Sequence, residues 1–267
     1  MNYIARQLGL YYDHVGWQTT NGVTTDRRLW FDGRECASEY MKRSYRKIRS
    51  LMPTTGEKLL DIGCGPLEDS SYVALSEGFS ERHCLDVSLL ALNAAQCRIG
   101  KHGIYHHGDF LEIAFGESDF DCILSLHSLY HIDALQQKAA VLKMLKLARP
   151  GAPVLIAYKH NDSLLDTLPD VQKFFGCLEG RSPTPSMGES PPYAHTNSHG
   201  WWEIFKDVSD VKIYPLHTFD VGEQRSLFPD NEVGRAGFAL LASLEDRYPD
   251  LFARVGKYCL IVLRRLV

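Results

Sequence analysis

A glycine-rich turn directly after an apolar run constrains this chain more than any other feature. The stretch "LLDIGCGPLEDSS" occupies residues 59–71. A short apolar run bounded by glycine predicts a buried strand. Gly63 and Gly65 can adopt backbone angles that other residues avoid, and they let a ligand approach the main chain closely. The pattern therefore predicts a binding site at the end of a strand.

The residues around this turn argue against two common phosphate sites. A Walker-type loop needs Lys followed by Ser or Thr after its glycines, and no such pair follows Gly65. The nicotinamide dinucleotide fingerprint needs a third glycine, but position 68 is Glu68. A carboxylate at the start of the next helix would repel a pyrophosphate. The turn is therefore expected to hold a ligand that is not anionic where it contacts the backbone.

Apolar runs and helical segments alternate through the first part of the chain, and this alternation predicts a parallel sheet covered by helices on both faces. Ligands bind such sheets outside the carboxyl ends of the strands. A helix over 133–148 is expected to bury Ala134, Leu135, Ala139, Leu142, Leu145 and Ala148, and helices are also expected at 199–208 and 231–248. Strands are expected at 58–63, 81–88, 103–110, 119–129 and 152–158, with an antiparallel edge pair at 210–221 and 257–267.

Three carboxylates lie where the first three predicted strands end. Asp61 is placed to accept from an ammonium group, Asp86 to bind ribose hydroxyls, and Asp109 to accept from an adenine amino group that Phe110 covers. Each has a simpler alternative. Asp61 and Asp86 can cap the helices that follow them, and Asp109 can be an ordinary turn residue. We favour the ligand interpretation for all three.

Five motifs in this order give the chain a family resemblance. "LLDIGCGP", "LDVS", "GDF", "FDCILSLHSLYHI" and "RPGAPVLIAY" resemble the motifs of class I S-adenosylmethionine-dependent methyltransferases over roughly residues 55 to 160. One departure is Leu67, where the family often has a further glycine. The resemblance implies a Rossmann-like, mostly parallel seven-stranded α/β sheet with helices on both faces and S-adenosyl-L-methionine as cofactor. The cofactor-binding residues that it implies are Asp61, Gly63, Gly65, Asp86, Val87, Asp109, Phe110 and Leu126.

The acceptor site is expected on segments that close over the strand ends. Methyl transfer to a hydroxyl needs a group that removes its proton, and His127, at the rim of the fourth predicted strand, is the candidate catalytic and substrate-binding residue. His131 is weighed as a structural residue instead. The other candidate substrate residues are Tyr12, Trp17, Tyr158 and His160. For each of these, packing in the core or an exposed loop position is the open alternative.

Three segments are expected to form a helical and loop cap over the strand ends. Residues 1–50 form an N-terminal cap segment, and residues 51–267 form the methyltransferase domain with cap insertions at about 159–198 and 222–250. Such a cap encloses a small-molecule acceptor. The insert between the last two strands weakly resembles that of histamine N-methyltransferase-like enzymes, but the cap sequence does not match closely enough to carry histamine over.

Composition and net charge limit the kinds of partner that the chain is expected to bind. The net charge of −4 argues mildly against nucleic acid, no apolar stretch is long enough for a bilayer, and no ligand cluster indicates a metal. The seven cysteines are scattered without a CxxC pair, and the N-terminus lacks a secretory pattern, so a cytoplasmic location is expected. Two functions remain open: O- or N-methylation of a small molecule, or cofactor binding without methyl transfer in a cyclase-like or regulatory protein. The oligomeric state is not predicted.

Overall fold

The computed structural model describes residues 1–161, Asp170 and 188–266. Within these residues, a seven-stranded sheet has the order β5-β4-β3-β6-β7-β9-β8, and β9 alone runs in the direction opposite to the other six strands. The predicted mostly parallel α/β sheet is therefore confirmed. A separate two-stranded hairpin pairs β1 with β2. The strands are β1 Thr19–Thr20, β2 Val23–Thr24, β3 Gly56–Ile62, β4 Phe79–Asp86, β5 Gly103–His107, β6 Cys122–Leu126, β7 Pro153–Lys159, β8 Ser209–His217 and β9 Tyr258–Arg265.

Helices cover the sheet and extend beyond its carboxyl edge. A short π-helix, Tyr12–Gly16, continues α1, and the predicted helix at 199–208 is instead a 3-10 segment, His199–Phe205. The α-helices are α1 Tyr3–Tyr11, α2 Thr25–Trp30, α3 Ser38–Leu51, α4 Ser70–Val73, α5 Leu89–Ile99, α6 Gln137–Leu147, α7 Val221–Leu227, α8 Glu232–Arg247 and α9 Pro249–Val255.

The core occupies both faces of the sheet, as a parallel sheet requires. Leu60 and Ile62 belong to the cluster under α6, whereas Leu59 belongs to the cluster on the opposite face. The predicted buried face of this helix is wrong in part: Leu135, which precedes α6, is 93% exposed, Leu142 is 39% exposed, and Ala139 is also exposed. Val141 and Met144 are fully buried instead, because the helix starts at Gln137, later than its apolar pattern suggests.

The turn after β3 lies where the strand order reverses. The chain goes from β3 outward to β4 and β5 and then returns to β6 on the other side of β3. Gly63 has φ +68°, and a Cβ there would lie 2.4 Å from the Cβ of Ser128, which follows β6. The Ser128 hydroxyl donates to the Ile62 carbonyl at 2.7 Å. Only glycine fits between the loop after β3 and the loop after β6. These two loops therefore pack directly on each other at the point where the strand order reverses.

Helix α3 connects the cap to a buried polar network behind it. Glu245 of α8 accepts at 2.7 Å from the hydroxyls of Tyr40 and Thr218 and at 2.6 Å from Arg43. The carboxylate is fully buried, and a buried charge is tolerated when its hydrogen bonds are satisfied. Most of the predicted insert at 222–250 therefore supports α3 from behind rather than covering the strand ends.

Candidate active site

A cavity of about 540 Å³ lies outside the carboxyl ends of the strands. One side, here called the motif end, is formed by the turn 63–66, Asp86–Val87, Asp109–Phe110 and Leu126. The other side, the cap end, is formed by residues from α1 to α3, from 190–196 and from 216–224, together with His127, Tyr130 and Tyr258. The cavity thus joins the strand ends that carry the sequence motifs to the segments expected to form a cap.

Asp86 ties the glycine turn to the start of α5. One carboxylate oxygen accepts from the Gly65 amide at 2.9 Å, and the other accepts from the Ser88 amide at 2.8 Å. Burial raises the pKa of Asp86 to about 6. Each carboxylate oxygen has a second lone pair, so Asp86 can hold the loop and still accept from ribose hydroxyls.

Asp109 and Phe110 offer a matching site for the adenine base. One Asp109 oxygen accepts from the Leu111 amide at 2.9 Å. The other is buried and has no partner among the described residues, although the Asp109–Phe110 pair lines the cavity. Buried carboxylate oxygens without a partner are costly, and an exocyclic amino group would satisfy this one. These residues therefore fit S-adenosyl-L-methionine.

Asp61 does not line the cavity. Its carboxylate accepts from the Arg82 guanidinium at 2.5 Å and from the Tyr72 hydroxyl at 2.8 Å, and the side chains of Asp61 and Arg82 are fully buried. The expectation that Asp61 meets an ammonium group is corrected accordingly. Asp61 and Arg82 lie on one face of neighbouring strands, and an arginine inside a predicted buried strand was the signal that a partner was needed.

The N-terminal segment closes over the motif end. The Asp13 carboxylate accepts from the Ser88 hydroxyl at 2.6 Å and from the Leu90 amide at 3.0 Å, at the start of α5. A Cβ on Gly9 would lie 2.6 Å from the Val87 carbonyl oxygen. The first helix therefore packs directly on the loop that carries Asp86 and Val87.

Tyr12 and Trp17, two of the predicted substrate residues, both line the cavity. Their rings are stacked with centroids 4.9 Å apart, and the Trp17 ring lies beside Gly65. The Tyr12 hydroxyl is 3.2 Å from Nε2 of His131, whose Nδ1 is 2.8 Å from the Tyr193 carbonyl. Since a carbonyl only accepts, Nδ1 carries the proton and Nε2 accepts from Tyr12. His131 thus joins two parts of the cap.

His127 lies at the boundary between the two ends of the cavity. Its φ is +62°, a left-handed angle that costs energy for any residue with a Cβ, and its amide donates to the Ala157 carbonyl at 3.0 Å. The ring packs against Tyr258, with centroids 5.5 Å apart. Burial, with a smaller contribution from His131, lowers the pKa of His127 to about 4. His127 is itself exposed where it lines the cavity, so the lowered pKa favours the neutral imidazole without fixing its protonation state.

Two predicted substrate residues lie elsewhere. The fully buried Tyr158 hydroxyl donates to Gln137 Oε1 at 3.0 Å and accepts from the Asn197 amide. His160 accepts at 2.9 Å from the indole of Trp202. Successive strand residues point to opposite faces, so Tyr158 shares the α6 face with Ile156 instead of turning toward the cavity.

The sequence analysis missed many of the cavity residues, among them three polar or ionisable groups at the cap end. Asp26 and His217 come from segments far apart in the chain, and Tyr258 begins the last strand. His217 Nε2 is 2.5 Å from the Ser44 hydroxyl, and burial, with smaller contributions from His127 and Arg43, lowers the pKa of His217 to about 3. Only the fold brings these residues together, and no local motif marks them.

Carboxylates outnumber cations around the cavity. Arg27 lies 3.7 Å from Asp69 and over the Phe31 ring, and Lys159 lies over the Tyr258 ring. The lining acids are Asp26, Asp32, Glu68, Asp69, Asp86, Asp109 and Asp133. This balance disfavours an anionic ligand. Across residues 1–161, 170 and 188–266, no three His, Cys, Asp or Glu side chains group to hold a metal ion, and no helix is long and apolar enough to cross a membrane.

Comparison with known proteins also points to a methyltransferase. Residues 59–151 match a family model described as a methyltransferase domain. The O-methyltransferase cnsE of Penicillium expansum is 27% identical over 203 residues, which are 73% of this chain and 70% of that protein. The O-methyltransferase resE of Aspergillus sclerotiorum is 26% identical over 54% of this chain, which spans only about half (52%) of its length.

Solved structures share the fold at low identity. The N-methyltransferase NodS from Bradyrhizobium japonicum, in complex with S-adenosyl-L-homocysteine, has a TM-score of 0.53 and 15% identity over 90% of this chain and 95% of its own. The cyclase SpnF has a TM-score of 0.56 and 14% identity over 98% of this chain and 97% of its own. At these identities the likeness shows a common fold and leaves the acceptor open.

Proposed function

The chain belongs to the class I S-adenosylmethionine-dependent methyltransferases, and from this premise we propose that it methylates a hydroxyl group of a small, largely apolar acceptor. The acceptor would lie at the cap end of the cavity, and the cofactor at the motif end. The O-methyltransferases among its relatives support oxygen as the target.

The cavity at the strand ends is the observation that carries this proposal. Its volume of about 540 Å³ lies in the range of small-molecule sites. Its cap end is lined by aromatic and aliphatic side chains, among them Trp30, Phe31, Met41, Tyr130, Phe219 and Tyr258. This apolar lining supports a compact apolar molecule as the acceptor. The surplus of carboxylates favours a neutral molecule over an anionic one.

Different residues would bind the cofactor, exclude water and position the acceptor. Bound S-adenosyl-L-methionine would supply a methyl group on a positively charged sulfur. Asp86 would accept from the ribose hydroxyls, Asp109 from the adenine amino group, and the Gly63–Gly65 backbone would lie against the methionine part. The N-terminal segment, held by Asp13 on α5, would exclude water and fix the acceptor, which turns transfer into an effectively unimolecular step.

The test is methyl transfer itself. The purified chain is incubated with methyl-labelled cofactor and, separately, with 2-naphthol, an aliphatic alcohol, an aromatic amine and phosphoethanolamine. Label is expected in the methyl ether of a hydroxyl compound, most of all 2-naphthol. The anionic phosphoethanolamine should remain unlabelled, because the cavity carboxylates repel it.

An Asp86→Ala variant serves as the control that transfer depends on the motif end. Label that appears only in the amine would replace oxygen by nitrogen as the target. Cofactor binding without transfer to these acceptors or to a metabolite extract would favour the cyclase-like or regulatory alternative.

A further inference from the structure

Three side chains that line the cavity each hold a buried polar atom without a partner among the described residues. These atoms are Nε1 of Trp17, Oδ2 of Asp109 and Oε1 of Gln224. Buried polar atoms in proteins almost always have a hydrogen-bond partner. Asp109 belongs to the motif end and the Trp17 ring lies beside Gly65, so bound cofactor would meet both atoms. The Gln224 oxygen lies at the cap end, where the acceptor would bind, and needs a different partner.

Gln224 is a nearly fully buried residue of α7, with 2% of its surface exposed. Its Nε2 donates to the Phe219 carbonyl at 2.8 Å. Since a carbonyl only accepts, this contact fixes which amide atom is the nitrogen. The oxygen is then the atom that lacks a donor. Phe219 and Gln224 both line the cavity, so the amide group forms part of its wall.

The backbone that carries Gln224 is held at both ends of α7. At the first turn, the Asp220 carboxylate accepts from the Glu223 amide at 3.0 Å, and the Glu223 carboxylate accepts from the Asp220 amide at 2.9 Å. At the last turn, Arg34 donates to the Gln224 carbonyl at 3.1 Å and to the Phe228 carbonyl at 2.6 Å. The Gln224 side chain is therefore in place before a ligand binds, and such preorganisation lowers the entropic cost of binding.

The chemistry of the cap end limits the group that meets the Gln224 oxygen. An amide oxygen accepts hydrogen bonds and cannot donate, so the ligand must supply an O–H or N–H group. The cap end also contains apolar side chains such as Phe31, Phe219 and Val221. A neutral hydroxyl suits a neutral amide in such surroundings, because the pair satisfies both polar groups without burying a charge.

We propose that Gln224 Oε1 accepts a hydrogen bond from a second hydroxyl group of the acceptor, which is then a largely apolar molecule with at least two hydroxyls. This inference rests on the proposed function and names the class of acceptor within it. One hydroxyl receives the methyl group near the motif end, and the other is held at Gln224. A site that hydrogen-bonds a substrate hydroxyl discriminates against the analogue that lacks it, because the polar group of the site then stays unpaired. Gln224 is therefore a specificity-determining residue.

The first test compares ligands with and without hydroxyl hydrogens. In the presence of S-adenosylhomocysteine, calorimetry measures binding of 2,6- and 2,7-dihydroxynaphthalene and of their dimethyl ethers. Gln224→Met keeps the length of the side chain and removes the amide, so it should bind the tighter of the two diols roughly fivefold or more weakly than wild type does. The ethers have no hydrogen to donate and should bind the variant at least as tightly as wild type. Gln96→Met, on the exposed face of α5, is the matched control and should bind all four compounds as wild type does.

The second test measures selectivity during methyl transfer. Wild type should methylate the better diol with a kcat/KM about tenfold or more above that for 2-naphthol, which has no second hydroxyl for Gln224. This ratio should fall severalfold in Gln224→Met. Most of the loss should appear in the KM for the diol, because the amide contacts the acceptor away from the reacting atoms and so contributes equally to ground state and transition state.

The outcomes separate this inference from the proposed function. If Gln224 serves only to bind the Phe219 carbonyl, Gln224→Met should melt below wild type and bind diols and ethers more weakly by the same factor, which overturns the inference. Equal binding of the diols by wild type and Gln224→Met also overturns it and leaves the apolar acceptor intact. A wild type that binds none of the naphthalene compounds contradicts the proposed function and this inference together.

Discussion

The two ends of the cavity are built in different ways. At the motif end, every group comes from a residue at or just after the end of β3, β4, β5 or β6. At the cap end, neighbouring groups come from distant parts of the chain, such as Asp26 of α2, His217 of β8 and Tyr258 of β9. The parallel sheet positions the motif end through backbone geometry, whereas side-chain packing positions the cap end.

Because the two ends are built differently, substitutions at the motif end and at the cap end should have different energetic consequences. The motif end carries the buried carboxylates Asp86 and Asp109, and the Asp61–Arg82 ion pair lies buried behind it, so damage there should appear first as lost stability or lost cofactor affinity. The cap end is formed by side chains such as His127 and Tyr258 that pack on one another and line the cavity, so changes there should affect turnover more than cofactor affinity.

The largest effect is expected from Asp61→Asn. It leaves Arg82 buried without its counter-charge and weakens the hydrogen bond from Tyr72. Breaking one partner of a buried ion pair costs about 3–5 kcal/mol, so the free energy of unfolding in urea should fall by that amount. Glu57→Gln, in an exposed pair with Arg149, is the control and should cost about 1 kcal/mol or less. Equal losses in the two variants would show that the motif end does not depend on its buried charge.

The sequence predicted the motif end well because its geometry follows from local rules. Glycines with left-handed angles at 63 and 65 and carboxylates at the ends of β4 and β5 lie where the pattern placed them. Asp61 is the exception. Its partner is 21 residues away on the next strand, and strand pairing is a tertiary property that a motif does not contain.

The second effect concerns cofactor affinity. Asp86→Ala should weaken binding of S-adenosylhomocysteine by about 1.5–3 kcal/mol, the contribution of hydrogen bonds to a charged group. In wild type, affinity should rise as pH increases through about 6, because Asp86 loses its proton there and gains an acceptor. Calorimetry between pH 5 and pH 8 measures both. Asp119→Ala, in a half-exposed pair with Lys58, is the control, and a pH-independent affinity would remove Asp86 from the ribose site.

A smaller effect is expected at the boundary between the ends. His127→Asn should lower turnover on a phenolic acceptor about tenfold, or about 1.4 kcal/mol, and leave cofactor affinity unchanged. The deficit should be constant from pH 6 to pH 9, because a histidine with a pKa near 4 does not titrate there. His102→Asn, beside Ser76, is the control. A deficit that shrinks at high pH would instead make His127 the base.

The cap end resisted prediction for a physical reason. Tyr158 and His160 follow a strand toward the rim, yet strand alternation and the Trp202 contact turn them into the core. Asp26 stands in a polar stretch of the sequence, "VTTDRR" (23–28), that has no motif. It joins Tyr12, Tyr130 and Tyr258 in the lining of the cavity only through the fold, so the sequence alone could not place it there.

The smallest effect is expected at Trp17, and it tests whether this residue belongs to the motif end or to the cap end. Its indole Nε1 is buried without a partner among the described residues, and the ring lies beside Gly65. We expect the N–H to donate to the cofactor. Trp17→Phe keeps the aromatic face on Tyr12 and removes only this donor, so S-adenosylhomocysteine should bind about 0.5–1.5 kcal/mol more weakly. Trp30→Phe, at the 44% exposed rim of the same cavity, is the control and should leave that affinity unchanged. If Trp17→Phe binds the cofactor as wild type does but melts at a higher temperature, the donor is an unsatisfied group in the bound state too. Trp17 then belongs to the cap end, and the boundary between the two ends lies at Gly65 itself.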